Sequence, residues 1–316
     1  MEELSHHHHH HFSEIDADQE AIDDLTRQVK GQRGPMAQLI RSRRDQLKAE
    51  VQAERGLKAS LARARKELVS IIEMASASTE PELLLSFDDD QLLDLILRGG
   101  LGLAVDDFIE ASDKIRAAAE KSLEAIGLTY DPQMLPQLDL IQAQTASAVF
   151  EDVIIPDFKR ATRDALLSIS AEVPIYLVKS DLLQRLESSE GRQLTEVKTR
   201  ISQFGRSITA VAADQAGLDN YLYTGPRDGL TRPFCKALID LVVDDKQMRK
   251  LNNGQGLSVR TSCGGYNCRH SWSPVTESFI QAAELERATG ADISKANRGG
   301  KRMVLLDPRR SDGPDS

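Results

Sequence analysis

Aromatic residues make up only 4% of this 316-residue chain, with a single tryptophan, while charged residues make up 28%. That balance is lean for one large compact core and suits extended helices, in a chain long enough for two domains. No stretch of 18 apolar residues occurs, so the sequence offers no membrane-spanning helix. The longest apolar cluster, Leu92 to Val105, is broken by Asp94, Arg98, Gly99, Gly100 and Gly102 and reads as a helix end followed by a glycine-rich turn. An excess of positive charge is also missing. The formal net charge is −9, which argues against a general nucleic-acid binder. Catalytic templates are lacking too: there is no His-Glu-x-x-His, no Gly-x-Ser-x-Gly, no Walker phosphate loop, no Gly-x-Gly-x-x-Gly ahead of a helix, and no Pro-Cys-x-x-Cys of a deaminase.

Cysteine is scarce, and its placement is informative. The three cysteines are Cys235, Cys263 and Cys268, the last two within Cys263-Gly264-Gly265-Tyr266-Asn267-Cys268-Arg269-His270. Three thiols and an imidazole form the soft ligand set of a tetrahedral structural zinc site, and Gly264-Gly265 lets the backbone wrap round an ion. Cys235, Cys263, Cys268 and His270 are therefore candidate zinc ligands. The spacing matches no common finger, so the assignment rests on ligand type and proximity. Two alternatives stand beside it: a Cys263–Cys268 disulfide, or three small residues buried in a C-terminal core. The six histidines His6–His11 read as an affinity tag within a leader and are set apart from the site.

Several charged groups need placing. Asp228, Arg232 and Arg269 flank the cysteines and read as a support shell that orients the loops, not as catalytic groups. Asp88-Asp89-Asp90 precedes a helical run and reads as a cap rather than a cation trap. Two basic clusters, Arg41, Arg43, Arg44 and Lys48, then Arg298, Lys301, Arg302, Arg309 and Arg310, read as solvated faces, with phosphate contact as the alternative.

Helical periodicity dominates the chain. Helices are expected over Ile15–Val29, Met36–Ser76, Asp88–Arg98, Val105–Ile126, Leu138–Val153 and Asp157–Ser170. Pro156 should separate the last two. A short helix to Leu186 is expected from a Ser180-Asp181 cap, and a long one over Gly191–Ala216, ending at Gly217. In the second helix Ile40, Leu47, Leu61 and Leu68 recur in sevens, with Leu57, Ala64 and Ile71 three residues behind. That is a partial heptad damaged by Glu50, Glu54 and Gly56, and it packs either as a coiled coil in an assembly, allowing self-association, or as an intramolecular hairpin. From Tyr221 glycine is dense. A helix over Phe234–Val243, a short helix capped by Asp244-Asp245, a strand over Leu257–Thr261, and a terminal helix over Phe279–Thr289 with a disordered tail are expected. The fold class is mostly α: an extended helical N-terminal region followed by a small α+β module closed by zinc or by buried thiols. The divisions are residues 1–13 (leader), 14–80 (long-helix region), 81–180 (helical region), 181–278 (C-terminal module) and 279–316 (terminal helix and tail).

One resemblance adds to this. The run Tyr221-Leu222-Tyr223-Thr224-Gly225-Pro226-Arg227-Asp228-Gly229-Leu230-Thr231-Arg232-Pro233-Phe234-Cys235, closed later by Asn267-Cys268-Arg269-His270 and then Pro274-Val275, resembles the Mu F-like phage head morphogenesis (minor head protein) family. The likeness covers about a third of the chain, roughly Leu182 to Val275. Many members carry a histidine where this chain has Gly265 and a cysteine where it has His270; Cys263 is the candidate replacement for the missing histidine. The resemblance implies a non-enzymatic virion protein, a minor head component on the portal or capsid interior, found in the virion and in the host cytoplasm during assembly. Two other roles fit the same residues: a neck or connector protein at the head–tail junction, and a zinc-supported hydrolase or effector delivered with the phage genome.

Overall fold

A computed structural model describes residues 14–78, 86–128 and 131–304; the leader, residues 1–13, and Arg309 and Arg310 lie outside them. The chain is mostly helical, with one small three-stranded sheet near the C-terminus. Helices α1 (Glu14–Gly31) and α2 (Gly34–Ser78) are joined at Gln32-Arg33, and Gly34 takes φ +62° to reverse the path. At 1.5 Å per residue, the 45 residues of α2 span about 68 Å.

The heptad seam of α2 is covered by its own chain. Leu57, Leu61, Ala64, Leu68 and Ile72 share one core with Ala104, Phe108 and Ile115 of α4 (Gly102–Glu124) and with Val197, Ile201 and Phe204 of α8 (Glu190–Gln215). Ile40 and Leu47 pack instead with Ala21, Ile22 and Leu25 of α1. The coiled-coil alternative is thus corrected to intramolecular packing: the apolar stripe is spent inside the molecule. Ile72, not Ile71, takes the innermost position, as expected when a straight 3.6-residue helix drifts from a 3.5-residue repeat.

Helix α3 (Asp89–Ile96) starts at a capping box: Asp88 accepts from the backbone N–H groups of Asp90 and Gln91, and Gln91 Oε1 accepts from Asp88 N–H. Asp89 is ion-paired with Arg163. The expected glycine turn is there: within Leu97–Leu101, Gly99 and Gly100 leave the helical backbone region and make a kink between α3 and α4. Gly100 holds φ +92° there, and a Cβ on it would lie 3.1 Å from the Cα of Ala64, so the kink is what lets this joint rest on α2.

Helix α5 (Leu135–Val149), by contrast, runs through a π turn, Phe150–Ile154, into α6 (Ile155–Ser170). Pro156 does not separate them: it stands just past the π turn, at the start of α6, and the helix path continues through it. α7 (Ile175–Ser188) starts after Pro174, a turn and a half before the expected Ser180 cap. α8 ends as expected, with Gly217 at φ +64°.

The C-terminal module departs most from expectation. Its sheet is antiparallel in the order β2-β1-β3, with β1 at Asn220–Thr224, β2 at Val242–Asp244 and β3 at Ser271–Pro274. The helix expected over Phe234–Val243 shrinks to α9 (Pro233–Lys236), because Asp240 at φ +68° turns the chain back so that β2 can pair with β1. Asp244 caps α10 (Asp245–Met248) as expected. The strand expected at Leu257–Thr261 is a helical turn, α11 (Val259–Ser262). The terminal helix is split into α12 (Glu277–Ala282) and α13 (Gly290–Val304), the second lying where a tail was expected. α13 docks through Gly299 and Gly300: a Cβ on Gly299 would lie 2.6 Å from Phe234 N, and one on Gly300 2.5 Å from the Asn252 carbonyl oxygen.

Candidate metal site

A second core gathers Tyr221, Tyr223, Phe234 and Trp272 round all three cysteines. β1 supplies Tyr223, α9 supplies Cys235, and the segment between α11 and β3 supplies Cys263, Cys268 and His270. The cysteines are free thiols, so the disulfide alternative is not realised. Cys235, Cys268 and His270, all buried, offer ligand atoms within 4.8 Å of one another, a group that could hold a metal ion.

Two of the spacings within the group have the length of coordination-shell edges. Cys235 Sγ and Cys268 Sγ are 3.8 Å apart, and Cys268 Sγ is 3.7 Å from His270 Nδ1. A tetrahedral ion with sulfur at about 2.3 Å and nitrogen at about 2.0 Å has edges of roughly 3.8 and 3.6 Å. The His270 ring is oriented from its far side: Nε2 is 3.0 Å from the Pro226 carbonyl, which can only accept, so Nε2 carries a proton and Nδ1 is the nitrogen that faces Cys268. Tyr223 stacks on the imidazole, rings 5.3 Å apart and 6° from parallel, and its hydroxyl lies 3.3 Å from Cys235 Sγ.

Two glycines make room for this. A Cβ on Gly264 would sit 2.5 Å from Cys235 Sγ, and one on Gly225 would collide with the His270 ring. Because Gly264 approaches so closely, its backbone N–H donates to Cys268 Sγ at 3.2 Å. Burial opposes charge on Cys268, yet hydrogen bonds from Cys235, Cys263 and His270 outweigh it and hold this thiol well below the usual thiol range. Cys235 is pushed up by its hydrogen bond to Cys268 and by burial, and Cys263 is pushed up chiefly by burial.

The residues expected as a support shell take that position. Arg269 grips Asp228 with two hydrogen bonds, and Arg232 donates to the Gly264 carbonyl at 2.9 Å. Cys263 is the exception among the expected ligands. It is fully buried but lies outside the three-residue group.

Sequence reading missed the groups that hold this segment from below. Arg206 of α8 donates to the carbonyls of His270 (2.9 Å), Thr261 (3.1 Å) and Cys268, and Arg43 of α2 donates to that of Arg269 (2.9 Å). Three consecutive carbonyls, 268 to 270, are thus fixed by two buried arginines from the helical region. Arg43 is 2% exposed and also pairs with Glu50, whose other oxygen accepts from Ser202. The first basic cluster is therefore not a solvated face at Arg43, and Glu50 and Glu54 are not damage to a seam: Glu54 shares Lys198 with Asp18. Gly205 was the available signal for this interface, a glycine inside a long helix whose absent Cβ would collide with the Gln46 amide.

A cleft of about 170 Å³ opens beside the thiols, lined by Cys235, Cys268 and His270 together with Asp18, Lys198 and Asn267. A larger groove of about 730 Å³, between the α1–α2 joint and α12, shares no residue with it. No helix among the described residues is long and apolar enough to cross a membrane. No protein-family description, curated protein or solved structure matches the chain.

Proposed function

We propose that this chain is a bacteriophage virion structural protein, a minor head component associated with the portal or the capsid interior, and that zinc held by Cys235, Cys268 and His270 closes its C-terminal module. The observation that carries the reading is the convergence of the two motifs that resemble the Mu F-like family. Asp228 to Cys235 and Asn267 to His270 are far apart in sequence and meet at one buried site. Their polar groups are spent on each other and on backbone: Asp228 accepts from Arg269, from the Leu230 N–H and from Thr231, and Arg232 holds Gly264. Groups so committed maintain a shape and are not free to act on a substrate. Zinc suits a mixed thiolate and imidazole set, and a module of this size has a small core that an ion would reinforce. The protein would then reside in the host cytoplasm during assembly and in the finished particle.

Mass spectrometry of purified particles tests the role. The expected result is this chain at low copy with the portal and capsid proteins; its absence from particles, while abundant in the lysate that yields them, sinks the proposal. One observation favours a second reading, a zinc-supported hydrolase or effector delivered with the genome: among the described residues three ligands converge, and all three line a cleft. An activity lost on substitution of a cleft residue, with particle incorporation unchanged, would select that reading.

A further inference from the structure

We propose that the metal site is open: a metal held by Cys235, Cys268 and His270 keeps its fourth position toward the cleft, filled by a water whose two protons go to Asp18 and Asn267, while Cys263 is not a ligand. This rests on the metal reading above and specifies its ligand shell.

Two buried acceptors point to a missing donor. Asp18 is 3% exposed and gives Oδ2 to Lys198 at 2.6 Å, but its Oδ1 has no hydrogen-bond partner among the described residues. Asn267 Oδ1 is likewise buried and unpartnered. Both residues line the cleft that the three ligands line. A buried acceptor left unmade is costly, so two at one place call for a donor that belongs there. A water bound to a cation is such a donor, since it gives its lone pair to the metal and retains two protons for two acceptors. The cationic side chains nearby already have partners, Lys198 on Asp18 and Glu54, and Arg232 on Gly264.

Cys263 has a different position. It lines no part of the cleft and stands outside the group of three whose ligand atoms converge. The donor to Cys268 Sγ from this stretch is the N–H of the next residue, Gly264, an outer partner that tunes a ligand. The Cys263 backbone, at φ +50° and ψ −116°, lies in a region that glycine adopts freely and other residues rarely do. Glycine at this position should therefore keep the fold.

Because Lys198 and Arg232 also line the cleft, the ligand class that would displace the water is a small anion with a nitrogen, oxygen or sulfur donor. The experiment uses tag-free full-length protein loaded with zinc for X-ray absorption and with cobalt(II) for visible spectroscopy. We expect two sulfur and two nitrogen or oxygen neighbours at zinc, one metal per chain retained in both Cys263→Gly and Cys263→Ser, and a cobalt spectrum that shifts on titration with thiocyanate. Asn267→Leu, which removes one acceptor of the water, should keep the metal and tighten thiocyanate binding about fivefold, the value of one hydrogen bond. Three sulfurs at zinc, or loss of the metal in Cys263→Gly while circular dichroism stays native, would overturn the open site and leave the metal reading intact. Wild-type protein that binds neither zinc nor cobalt would remove the metal reading, and the open site with it.

Discussion

Arg269 holds Asp228 through two hydrogen bonds, of 2.5 and 2.9 Å, and the Asp228 side chain is wholly enclosed. The same guanidinium donates to the Ala17 carbonyl, so one residue ties the loop before α9, the segment before β3 and the start of α1. Removing one member of such a pair strands the other as a buried charge, at a cost of about 3–5 kcal/mol. Arg269→Ala and Asp228→Asn should each lower the urea midpoint strongly. The double variant should cost less than the sum, which a double-mutant cycle measures; simple additivity would mean that the pair is not coupled.

Arg206 is the second support. Arg206→Met keeps the length of the side chain but deprives the carbonyls of Thr261, Cys268 and His270 of their donor. Each buried carbonyl left without a partner costs roughly 1–3 kcal/mol. Hydrogen exchange should show lost protection from Ser262 to Trp272 before any change in α2; uniform loss across the chain would contradict a local role.

Glycine substitutions separate space from propensity. Gly264→Ala would push a methyl into Cys235 Sγ at 2.5 Å and should abolish metal uptake, read by native mass spectrometry. Gly56→Ala, inside α2 with nothing within 4 Å of the new methyl, should raise stability by about 1 kcal/mol. Equal effects of the two would show that the Gly264 backbone is not held against the sulfurs.

Acid should loosen the contact of α1 with the module. Burial acts to raise the carboxyl of Asp24, but hydrogen bonds from the Arg227 N–H, Gln28 and Arg27 outweigh it and hold the carboxyl below its ordinary value. A depressed folded-state value means stabilisation that is complete above the unfolded value of about 4 and is lost as pH falls through the lower folded one. The difference in urea midpoint between wild type and Asp24→Ala should therefore be constant near neutrality and shrink below about pH 4. A difference that grows on acidification would reverse the sign.

A core truncation probes the seam. Leu68 is fully buried, and a Cβ on Gly99 would lie 3.3 Å from it, so Leu68→Ala should cost about 2–5 kcal/mol in a monomer. If that cost depended on protein concentration, the seam would be an intermolecular one.

The helices were legible because each buries a stripe three or four residues apart, and burial of a stripe is what periodicity records. The long α2 and α8 and the cap at Asp88 follow from sequence directly. The module was harder: strands of three to five residues, all or nearly all buried, show no alternation, so β1, β2 and β3 carried no strand signal. α13 was missed because Gly299 and Gly300 lower helix propensity, and their close approach to α9 and Asn252 is visible only in three dimensions. At the site, the cysteines and His270 stood out by rarity, and Asp228, Arg232 and Arg269 by adjacency. Arg206 and Arg43 did not, since an arginine on a long helix looks the same whether it faces water or a row of carbonyls.

The Arg43 contact with Arg269 also bears on the order in which the molecule can be made. Synthesis delivers α2 first, with Arg43 and Glu50 placed to be enclosed, while the carbonyl that Arg43 serves is 226 positions away. Ser202, which completes Glu50, arrives sooner but still 152 positions later. Arg43 and Glu50 can pair with each other within α2 at once, but their second partners come only with the later chain. The last stretch of the ribosome's work would therefore set the moment at which the first helices lock, and a chain stopped before β3 would be released with its interior still wet.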